Sequence, residues 1–216
     1  MSVITIERRV LEKNDELAQL NRRNLGLAGV HCLNLLSSPG AGKTALLEAS
    51  LSRLGDSLRL AVIEGDVQTD LDAQRVARYG VPVVQLVTNG ACHLEARLVG
   101  DALREIDLRS IDLLVIENVG NLVCPAGFDL GENEKVVVAS VTEGDDKPLK
   151  YPAMFRNASA LVINKIDLLP YVPCDLGTLR ANALAVNPGL EVFELSSLTG
   201  VGLDAWCAWL LRHGGK

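Results

Sequence analysis

The fold is decided by the stretch Leu33-Asn34-Leu35-Leu36-Ser37-Ser38-Pro39-Gly40-Ala41-Gly42-Lys43-Thr44. In it, an apolar strand runs into a loop of small residues that ends in Gly-Lys-Thr, and an apolar helix follows. Strand, loop and helix in this order predict a phosphate-binding loop, in which backbone N–H groups and the helix dipole face an anion. We expect Lys43 to reach the β- and γ-phosphates and Thr44 to bind Mg²⁺. The predicted nucleotide-binding residues of the loop are Gly40, Ala41, Gly42, Lys43, Thr44 and Ala45. Ser37 replaces the glycine that usually opens this motif, and a plain strand-to-helix turn is the alternative interpretation.

Six further short apolar runs alternate with helical stretches along the chain. Near-continuous Val, Leu and Ile in such runs are typical of strands covered on both faces, and helical crossovers between them indicate a parallel sheet. The sequence therefore predicts an α/β fold of the P-loop NTPase type, a doubly wound three-layer sandwich with a mostly parallel sheet of about seven strands. The predicted strands are residues 32–37, 58–63, 83–87, 111–116, 136–141, 161–163 and 192–195.

A charged segment from about Glu7 to Leu27 precedes this core and predicts a helix, because good helix formers dominate it. Val10, Leu17 and Leu20 fall near one face and form a thin apolar stripe. We therefore divide the chain into an N-terminal helical segment, residues 1–28, and a P-loop GTPase domain, residues 29–216. The helix is expected to lie across the domain or a partner subunit.

The composition excludes several classes of protein. The chain has 216 residues, of which 48% are hydrophobic and 22% charged, and its formal net charge is −6. An acidic chain without a dense Lys/Arg face is not expected to bind nucleic acid. There is no run of about 18 apolar residues and no leader pattern at the N-terminus, so we expect a cytoplasmic protein that does not enter a membrane. Five cysteines without a common spacing indicate free thiols or metal ligands rather than disulfides.

The motif Asn164-Lys165-Ile166-Asp167 follows the sixth predicted strand with the spacing of guanine recognition in GTPases. Asp167 would accept hydrogen bonds from guanine N1–H and its exocyclic amine, and the stem of Lys165 would lie over the base. Alone, the motif could be a turn with an aspartate helix cap, but after a P-loop it favours GTP and GDP. A second base-contacting loop is predicted at Ser196, Ser197 and Leu198, although clusters of Ser, Thr and Gly usually form ordinary turns.

Two carboxylates, Asp66 and Glu117, follow the second and fourth predicted strands, at the edge where open α/β sheets bind ligands. The Asp-x-x-Gly of the γ-phosphate switch corresponds here to residues 117–120, with Gly120 as the switch glycine. The predicted catalytic residues are Asp66, Lys43 and Glu117, and the predicted magnesium ligands are Thr44, Asp66 and Glu117. The sequence leaves open which carboxylate orients the attacking water, and a helix-capping role is the alternative for either.

Cys92 stands beside His93, and Cys124 follows the switch sequence. Since parallel strands share one carboxyl edge, these three side chains are expected to converge near the γ-phosphate region. Sulfur and imidazole ligands suit Ni²⁺ or Zn²⁺. Closed structural zinc sites usually have four ligands, so three predict an open site or one shared with a second copy. The alternative is that both cysteines are small buried hydrophobes and the histidine lies on the surface.

Together with the motif Lys147-Pro148-Leu149-Lys150-Tyr151-Pro152, these motifs resemble the HypB family of SIMIBI-class P-loop GTPases, from about residue 6 to residue 209. The resemblance implies a GTP-hydrolysing metallochaperone that helps insert nickel into NiFe-hydrogenase during maturation. It also implies a GTP-dependent homodimer that works with a HypA-type nickel metallochaperone and the hydrogenase large subunit precursor. It makes Cys92, His93 and Cys124 metal ligands at the dimer interface. Some members carry an N-terminal nickel site rich in Cys or His. The segment before Val30 has neither, so high-affinity nickel storage by that route is not expected.

Three alternatives remain at this point. The related urease accessory GTPase shares the mechanism but typically has Cys-Pro-His where this chain has Cys92-His93. A non-catalytic nickel- or zinc-buffering protein would use GTP as a structural ligand. A P-loop kinase for a small molecule is disfavoured, because residues 164–167 specify a base and the sequence shows no acceptor site.

Overall fold

In the part of the chain that the structure describes, seven parallel strands form a single sheet, in the order β3-β2-β4-β1-β5-β6-β7. The structure is a computed structural model that describes residues 6–66, 71–88 and 90–215, with side chains from residue 11 onward. The strands are β1 (His31–Ser37), β2 (Leu60–Asp66), β3 (Val83–Val87), β4 (Leu113–Glu117), β5 (Glu134–Ser140), β6 (Ala160–Asn164) and β7 (Glu191–Glu194). The predicted doubly wound α/β fold is confirmed.

Helices cover both faces of the sheet. The α-helices are α1 (Ile6–Ala28), α2 (Lys43–Leu54), α3 (Leu71–Ala77), α4 (Ala96–Ala102), α5 (Lys147–Lys150), α6 (Pro152–Arg156), α7 (Leu176–Val186) and α8 (Leu203–Gly214). One apolar core joins α2, α3 and α8 to one face of the sheet. A second core joins α1 and α4 to the opposite face, and a third core joins α6 and α7 to that same face. None of the described helices is both long and apolar enough to cross a membrane.

Three strands end later than the sequence predicts, among them β6, which was predicted at residues 161–163 and ends at Asn164. The second strand was predicted at residues 58–63 and the fourth at 111–116, but β2 extends to Asp66 and β4 to Glu117. The register pairs Glu64 of β2 with Glu117 of β4, so the ladder continues through acidic residues. The prediction stopped at the last apolar residue, whereas backbone pairing does not depend on side-chain polarity.

The position of β1 explains where a ligand can bind. Strand β1 pairs with β4 on one side and β5 on the other, so the strand order reverses there. In open α/β sheets, the crevice outside the carboxyl ends of the strands at this reversal is the usual ligand site. The loop that leaves β1 is the predicted phosphate-binding loop.

The predicted apolar stripe of helix α1 is buried only in part. Leu17 is half-buried and Leu20 is 52% exposed; the side chain of Val10 lies outside the described residues. Among the described side chains of α1, the buried ones are Asn14, Ala18, Asn21 and Leu25. The helix therefore docks through a partly polar face.

Two buried asparagines hold α1 in place. Asn14 accepts a hydrogen bond from the backbone N of Ala96 (2.8 Å) and donates to the carbonyl of Asp129 (2.7 Å). Asn21 donates to the carbonyls of Ala96 (2.8 Å) and Leu130 (3.0 Å). Side-chain amides thus satisfy backbone groups of segments that would otherwise lie unpaired beneath the helix.

Candidate functional site

The loop after β1 has the backbone geometry of a phosphate-binding loop. Gly42, which precedes α2, has φ 99°, and a Cβ atom there would lie 2.6 Å from Nδ2 of Asn164. Both the left-handed backbone and the close approach require glycine. Lys43 and Thr44 follow at the start of α2, where both are buried. The loop therefore presents its amides and the lysine together at the N-terminus of a helix.

The serine that replaces the usual glycine has a structural role. The Ser37 hydroxyl accepts a hydrogen bond from Nζ of Lys43 (3.0 Å) and donates to the carbonyl of Ser38 (2.6 Å). The Lys43 ammonium also lies 3.8 Å from Oε1 of Glu117. A buried cation is thus held by a hydroxyl and a carboxylate at the place where a phosphate would bind.

A cleft of about 400 Å³ opens between this loop and the ends of β2 and β4. The predicted residues Asp66, Glu117 and Gly120 all line it. Thr44 donates through Oγ1 to Oε1 of Glu117 at 2.9 Å, so two of the three predicted magnesium ligands are in contact. The full lining is Pro39, Gly40, Gly42, Lys43, Thr44, Ala45, Glu64, Gly65, Asp66, Asp72, Arg75, Glu117, Asn118, Val119 and Gly120.

Glu64, Asp72 and Glu117 form a cluster of carboxyl groups in the cleft, with one oxygen from each lying within 4.8 Å of the others. Glu64 and Asp72 were missed by the sequence analysis; Asp66 lines the same cleft outside this cluster. The signal for Glu64 was a charged residue that directly follows the apolar run of the second predicted strand, at the ligand edge of the sheet. Asp72 lies at the start of α3 and carried no comparable signal.

The electrostatics of this cluster favour a cation. Burial raises the pKa of Glu64, and the neighbouring Glu117 carboxyl raises it further. Burial likewise raises the pKa of Glu117, against the opposing effect of Lys43. Oε2 of Glu64 and Oε2 of Glu117 are buried without a hydrogen-bond partner among the described residues. Two adjacent buried carboxyls with unpaired oxygens are chemically suited to a hard divalent cation such as Mg²⁺.

Arg75 is a further cleft residue that the sequence analysis did not identify. Its guanidinium donates to Asp72 (2.9 Å) and to Oε1 of Glu48 (3.2 Å). The arginine therefore fixes the orientation of the Asp72 carboxylate at the edge of the cleft.

The two predicted base-binding loops lie side by side at the ends of β6 and β7. Oδ1 of Asn164 accepts hydrogen bonds from the backbone N (3.1 Å) and hydroxyl (3.0 Å) of Ser197, and Nδ2 donates to the carbonyl of Ala41 (3.2 Å). Lys165 has φ 63° and donates through Nζ to the carbonyl of Gly40 (2.6 Å). Asn164 is thus the junction between both loops and the phosphate-binding loop.

The base side of the site offers an unsatisfied acceptor. Oδ1 of Asp167 is buried and has no hydrogen-bond partner in the part of the chain that the structure describes. In the second predicted base-binding loop, Ser196 is buried and Leu198 is 86% exposed. A carboxylate oxygen without a donor is a group that the N–H groups of a bound base would satisfy.

Cys92, His93 and Cys124 converge as predicted, with one ligand atom of each within 4.8 Å of the others. Sγ of Cys92 lies 3.6 Å from Nδ1 of His93. The His93 ring packs on Phe128 at 3.8 Å between ring centroids, and its Nε2 is buried without a partner among the described residues. The donor set, two thiols and an imidazole, suits Ni²⁺ or Zn²⁺.

The protonation states at this cluster have clear physical causes. The adjacent Cys124 thiol raises the pKa of Cys92, and burial adds to the effect. Burial lowers the pKa of His93, which keeps the imidazole neutral and able to bind a metal. A divalent cation would reverse the effect on the cysteines, because metal-bound thiols lose their protons.

Residues 32–194 match a family model described as the CobW/HypB/UreG nucleotide-binding domain. The hydrogenase maturation factor HypB of Azotobacter vinelandii is 51% identical over 213 residues, which cover 99% of this chain and 70% of the relative. The crystal structure of hydrogenase maturation factor HypB from Archaeoglobus fulgidus superimposes with a TM-score of 0.89 at 39% identity and covers 95% of this chain and 100% of that chain. The crystal structure of HypB from Helicobacter pylori in complex with nickel has a TM-score of 0.89 at 37% identity, covering 94% of this chain and 95% of that one.

Proposed function

Because the chain belongs to the HypB family of CobW/HypB/UreG nucleotide-binding domains, we propose that it is a GTP-hydrolysing metallochaperone that helps insert nickel into NiFe-hydrogenase during maturation. The observation that carries this proposal is the convergence of Cys92, His93 and Cys124, since Cys124 follows the segment from Glu117 to Gly120 that lines the phosphate-side cleft. A relative that is 37% identical was solved in complex with nickel, which supports nickel as the ion bound here.

GTP is the proposed substrate of the cleft. The loop from Gly40 to Ala45 would surround the phosphates, with Lys43 neutralising charge that develops on the β–γ bridge during hydrolysis. Asp167 would accept hydrogen bonds from the guanine ring, and Lys165 would lie along the base. Ser196, Ser197 and Leu198 would close the other side of the base pocket. A buried acceptor that the wrong base leaves unpaired is a strong basis for selectivity.

Thr44, Asp66 and Glu117 are the proposed holders of Mg²⁺. When bound, the ion would neutralise charge on the β- and γ-phosphate oxygens. Glu117 already contacts both Thr44 and Lys43, so it is assigned to the metal side of the cleft. Asp66 lies at the end of β2 and lines the cleft, and we propose that its carboxylate shares the Mg²⁺ site and orients the attacking water there.

Nickel is the proposed cargo. Two thiols and one neutral imidazole supply three protein ligands, so the site can accept a further ligand from a donor, an acceptor or a second copy of the chain. We propose that the site is shared in a GTP-dependent homodimer, and that a HypA-type metallochaperone and the hydrogenase large subunit precursor exchange metal with it. An open coordination position favours release over permanent binding.

The test is a nickel titration of the purified full chain and of Cys124→Ala, with Cys174→Ala as the matched control. Cys174 is a half-buried free cysteine outside the cluster. Cys124→Ala is expected to weaken nickel binding by more than about tenfold while GTP binding is retained. Equal nickel affinity in the two variants would remove Cys124 from the site.

Phosphate release decides whether the protein is an enzyme. The unsubstituted chain is expected to hydrolyse GTP faster than ATP, and Asp66→Asn is expected to slow hydrolysis more than it weakens nucleotide binding. Release no faster than the uncatalysed background would favour a metal buffer that uses GTP as a structural ligand.

A further inference from the structure

Asn118 connects the phosphate-side cleft to the interior. It directly follows Glu117, whose carboxylate accepts a hydrogen bond from Thr44. Its backbone N donates to the carbonyl of Leu35 in β1 at 3.1 Å. The residue is 2% exposed although its side chain is polar. A buried amide at this point must be satisfied by specific partners.

The side chain of Asn118 binds the backbone of the segment that carries His93. Its Oδ1 accepts hydrogen bonds from the backbone N of Leu94 (3.3 Å) and of Val119 (2.9 Å), and its Nδ2 donates to Oδ1 of Asn34 (3.2 Å). Asn34 is itself oriented by a hydrogen bond from its Nδ2 to Glu132 (3.2 Å). The amide therefore cannot rotate without losing these bonds, and its oxygen stays directed at Leu94.

Leu94 is also wedged against the end of β2. Its side chain is fully buried, and a Cβ atom at Gly65 would lie 2.7 Å from its Cδ1. The same added Cβ would lie 3.1 Å from the carbonyl oxygen of Glu117. The residue after His93 is therefore held between two strand ends that both border the phosphate cleft.

The segment that carries Cys124 is hydrogen-bonded to the loop of residues 117–121, which begins at Glu117. Oδ1 of Asn121 accepts hydrogen bonds from the backbone N of Val123 (2.8 Å) and of Cys124 (3.4 Å). Gly120 packs on the phosphate-binding loop so closely that a Cβ atom there would lie 3.0 Å from Cα of Pro39. A displacement of the loop from residue 117 to residue 121 would thus reach both halves of the metal cluster.

We propose that Asn118 is a positioning residue that sets the position of His93 according to the nucleotide in the cleft, so that GDP and GTP give different nickel affinities. This role rests on the proposed function. The physical basis is the hydrogen bond from the backbone N of Leu94 to the Asn118 side chain. Asn118 directly follows Glu117, the proposed Mg²⁺ ligand, and Leu94 directly follows His93, the proposed nickel ligand. Two ligands that bias one shared structural element are coupled reciprocally, so nickel would also change the affinity for nucleotide.

The experiment measures the dissociation constant of Ni²⁺ for the full chain with GDP and with a non-hydrolysable GTP analogue. For the unsubstituted chain the two constants are expected to differ by about fivefold or more. In Asn118→Ala the ratio of the two nickel dissociation constants is expected to fall close to one, with both constants measured at a nucleotide concentration that saturates the variant. A role confined to fold stability would weaken nickel binding equally in both nucleotide states and leave the ratio unchanged.

Asn133→Ala is the matched control. The Asn133 side chain accepts a hydrogen bond from the backbone N of Cys32 (2.8 Å) at the amino end of β1, away from the carboxyl ends that border the cleft. This variant is expected to keep the ratio of the unsubstituted chain. Asn118→Ser, whose hydroxyl is too short to bridge Leu94 and Asn34, replaces the alanine variant where that variant fails to fold.

The outcomes separate the two proposals. An unchanged ratio in a folded Asn118 variant, beside a normal ratio in the unsubstituted chain, overturns the role of Asn118 alone. A ratio of one in the unsubstituted chain overturns the coupling of nucleotide to nickel, and the role of Asn118 with it. A ratio of the two nickel dissociation constants close to one in Asn133→Ala as well as in Asn118→Ala would show that any disruption of the fold removes the coupling. That result would also count against a specific role of Asn118.

Discussion

Replacing Asn21 by alanine should destabilise the protein although the residue lies on a charged helix far from the nucleotide cleft. The side chain is 3% exposed and donates to the carbonyls of Ala96 (2.8 Å) and Leu130 (3.0 Å). It also fills a niche beside two glycines. Cβ atoms at Gly100 and Gly131 would lie 2.8 Å and 2.7 Å from atoms of Asn21. Alanine would remove one hydrogen bond from each of these two buried carbonyl oxygens and leave a small cavity.

The magnitude follows from those two oxygens. A buried polar group left without its partner costs about 1–3 kcal/mol, so two of them together give a loss of about 3 kcal/mol in the free energy of unfolding. For a domain of this size, each kcal/mol lowers Tm by about 2–4 °C, which predicts a fall of roughly 6–12 °C. Asn24→Ala is the matched control, because it makes the same change in the same helix at an exposed position. It should change the free energy by less than about 0.5 kcal/mol.

Urea unfolding followed by tryptophan fluorescence provides the assay. Trp206 and Trp209 are buried in α8 and stack at 5.2 Å, so their emission reports loss of the core. Equal midpoints for Asn21→Ala and Asn24→Ala would refute the assignment of the polar face of α1 as the docked one.

Three further predictions concern the cleft. Asp167→Asn replaces an acceptor by a group that is partly a donor, so preference should shift from GTP towards the xanthosine nucleotide by at least about tenfold; unchanged selectivity in competition binding would exclude Asp167 from the base pocket. Burial and Glu117 raise the pKa of Glu64, so the folded protein keeps a proton that the unfolded chain releases above its ordinary pKa of 4.5. The free energy of unfolding of the nucleotide-free protein should therefore fall as pH rises from that value towards about 10, and Glu64→Gln should show a smaller fall, because Glu117 alone then keeps a raised pKa; parallel stability curves for the two proteins would contradict the raised pKa of Glu64. Gly42→Ala would place a Cβ 2.6 Å from Nδ2 of Asn164 and should abolish nucleotide binding, and a normal affinity in equilibrium dialysis would show that the loop can relax.

The sequence predicted the sheet and the phosphate-binding loop because both depend on local or periodic patterns. Continuous apolar runs mark strands covered on both faces, and Gly-Lys-Thr after a strand constrains a loop. Cys92, His93 and Cys124 were predicted to meet because parallel strands share one carboxyl edge, which is a rule of topology and needs no knowledge of side-chain packing. The structure brings the three together.

The failures have a common physical cause. Asn14 and Asn21 are buried in α1 because carbonyl and amide groups more than 70 residues away pair with them, and no local periodicity can show that. Glu64 was overlooked because the predicted strand stopped at the last apolar residue, whereas β2 continues through Glu64 to Asp66. Buried polar residues are placed by long-range partners, so apolar patterns miss them.

Asn14 joins helix α1 to both segments of the proposed metal cluster. Its single amide is hydrogen-bonded to Ala96, three positions beyond His93, and to Asp129, five positions beyond Cys124. A molecule that docks on α1 and displaces it would therefore loosen both segments at once. By the same linkage, an ion that fixes the two segments would hold α1 more firmly in place.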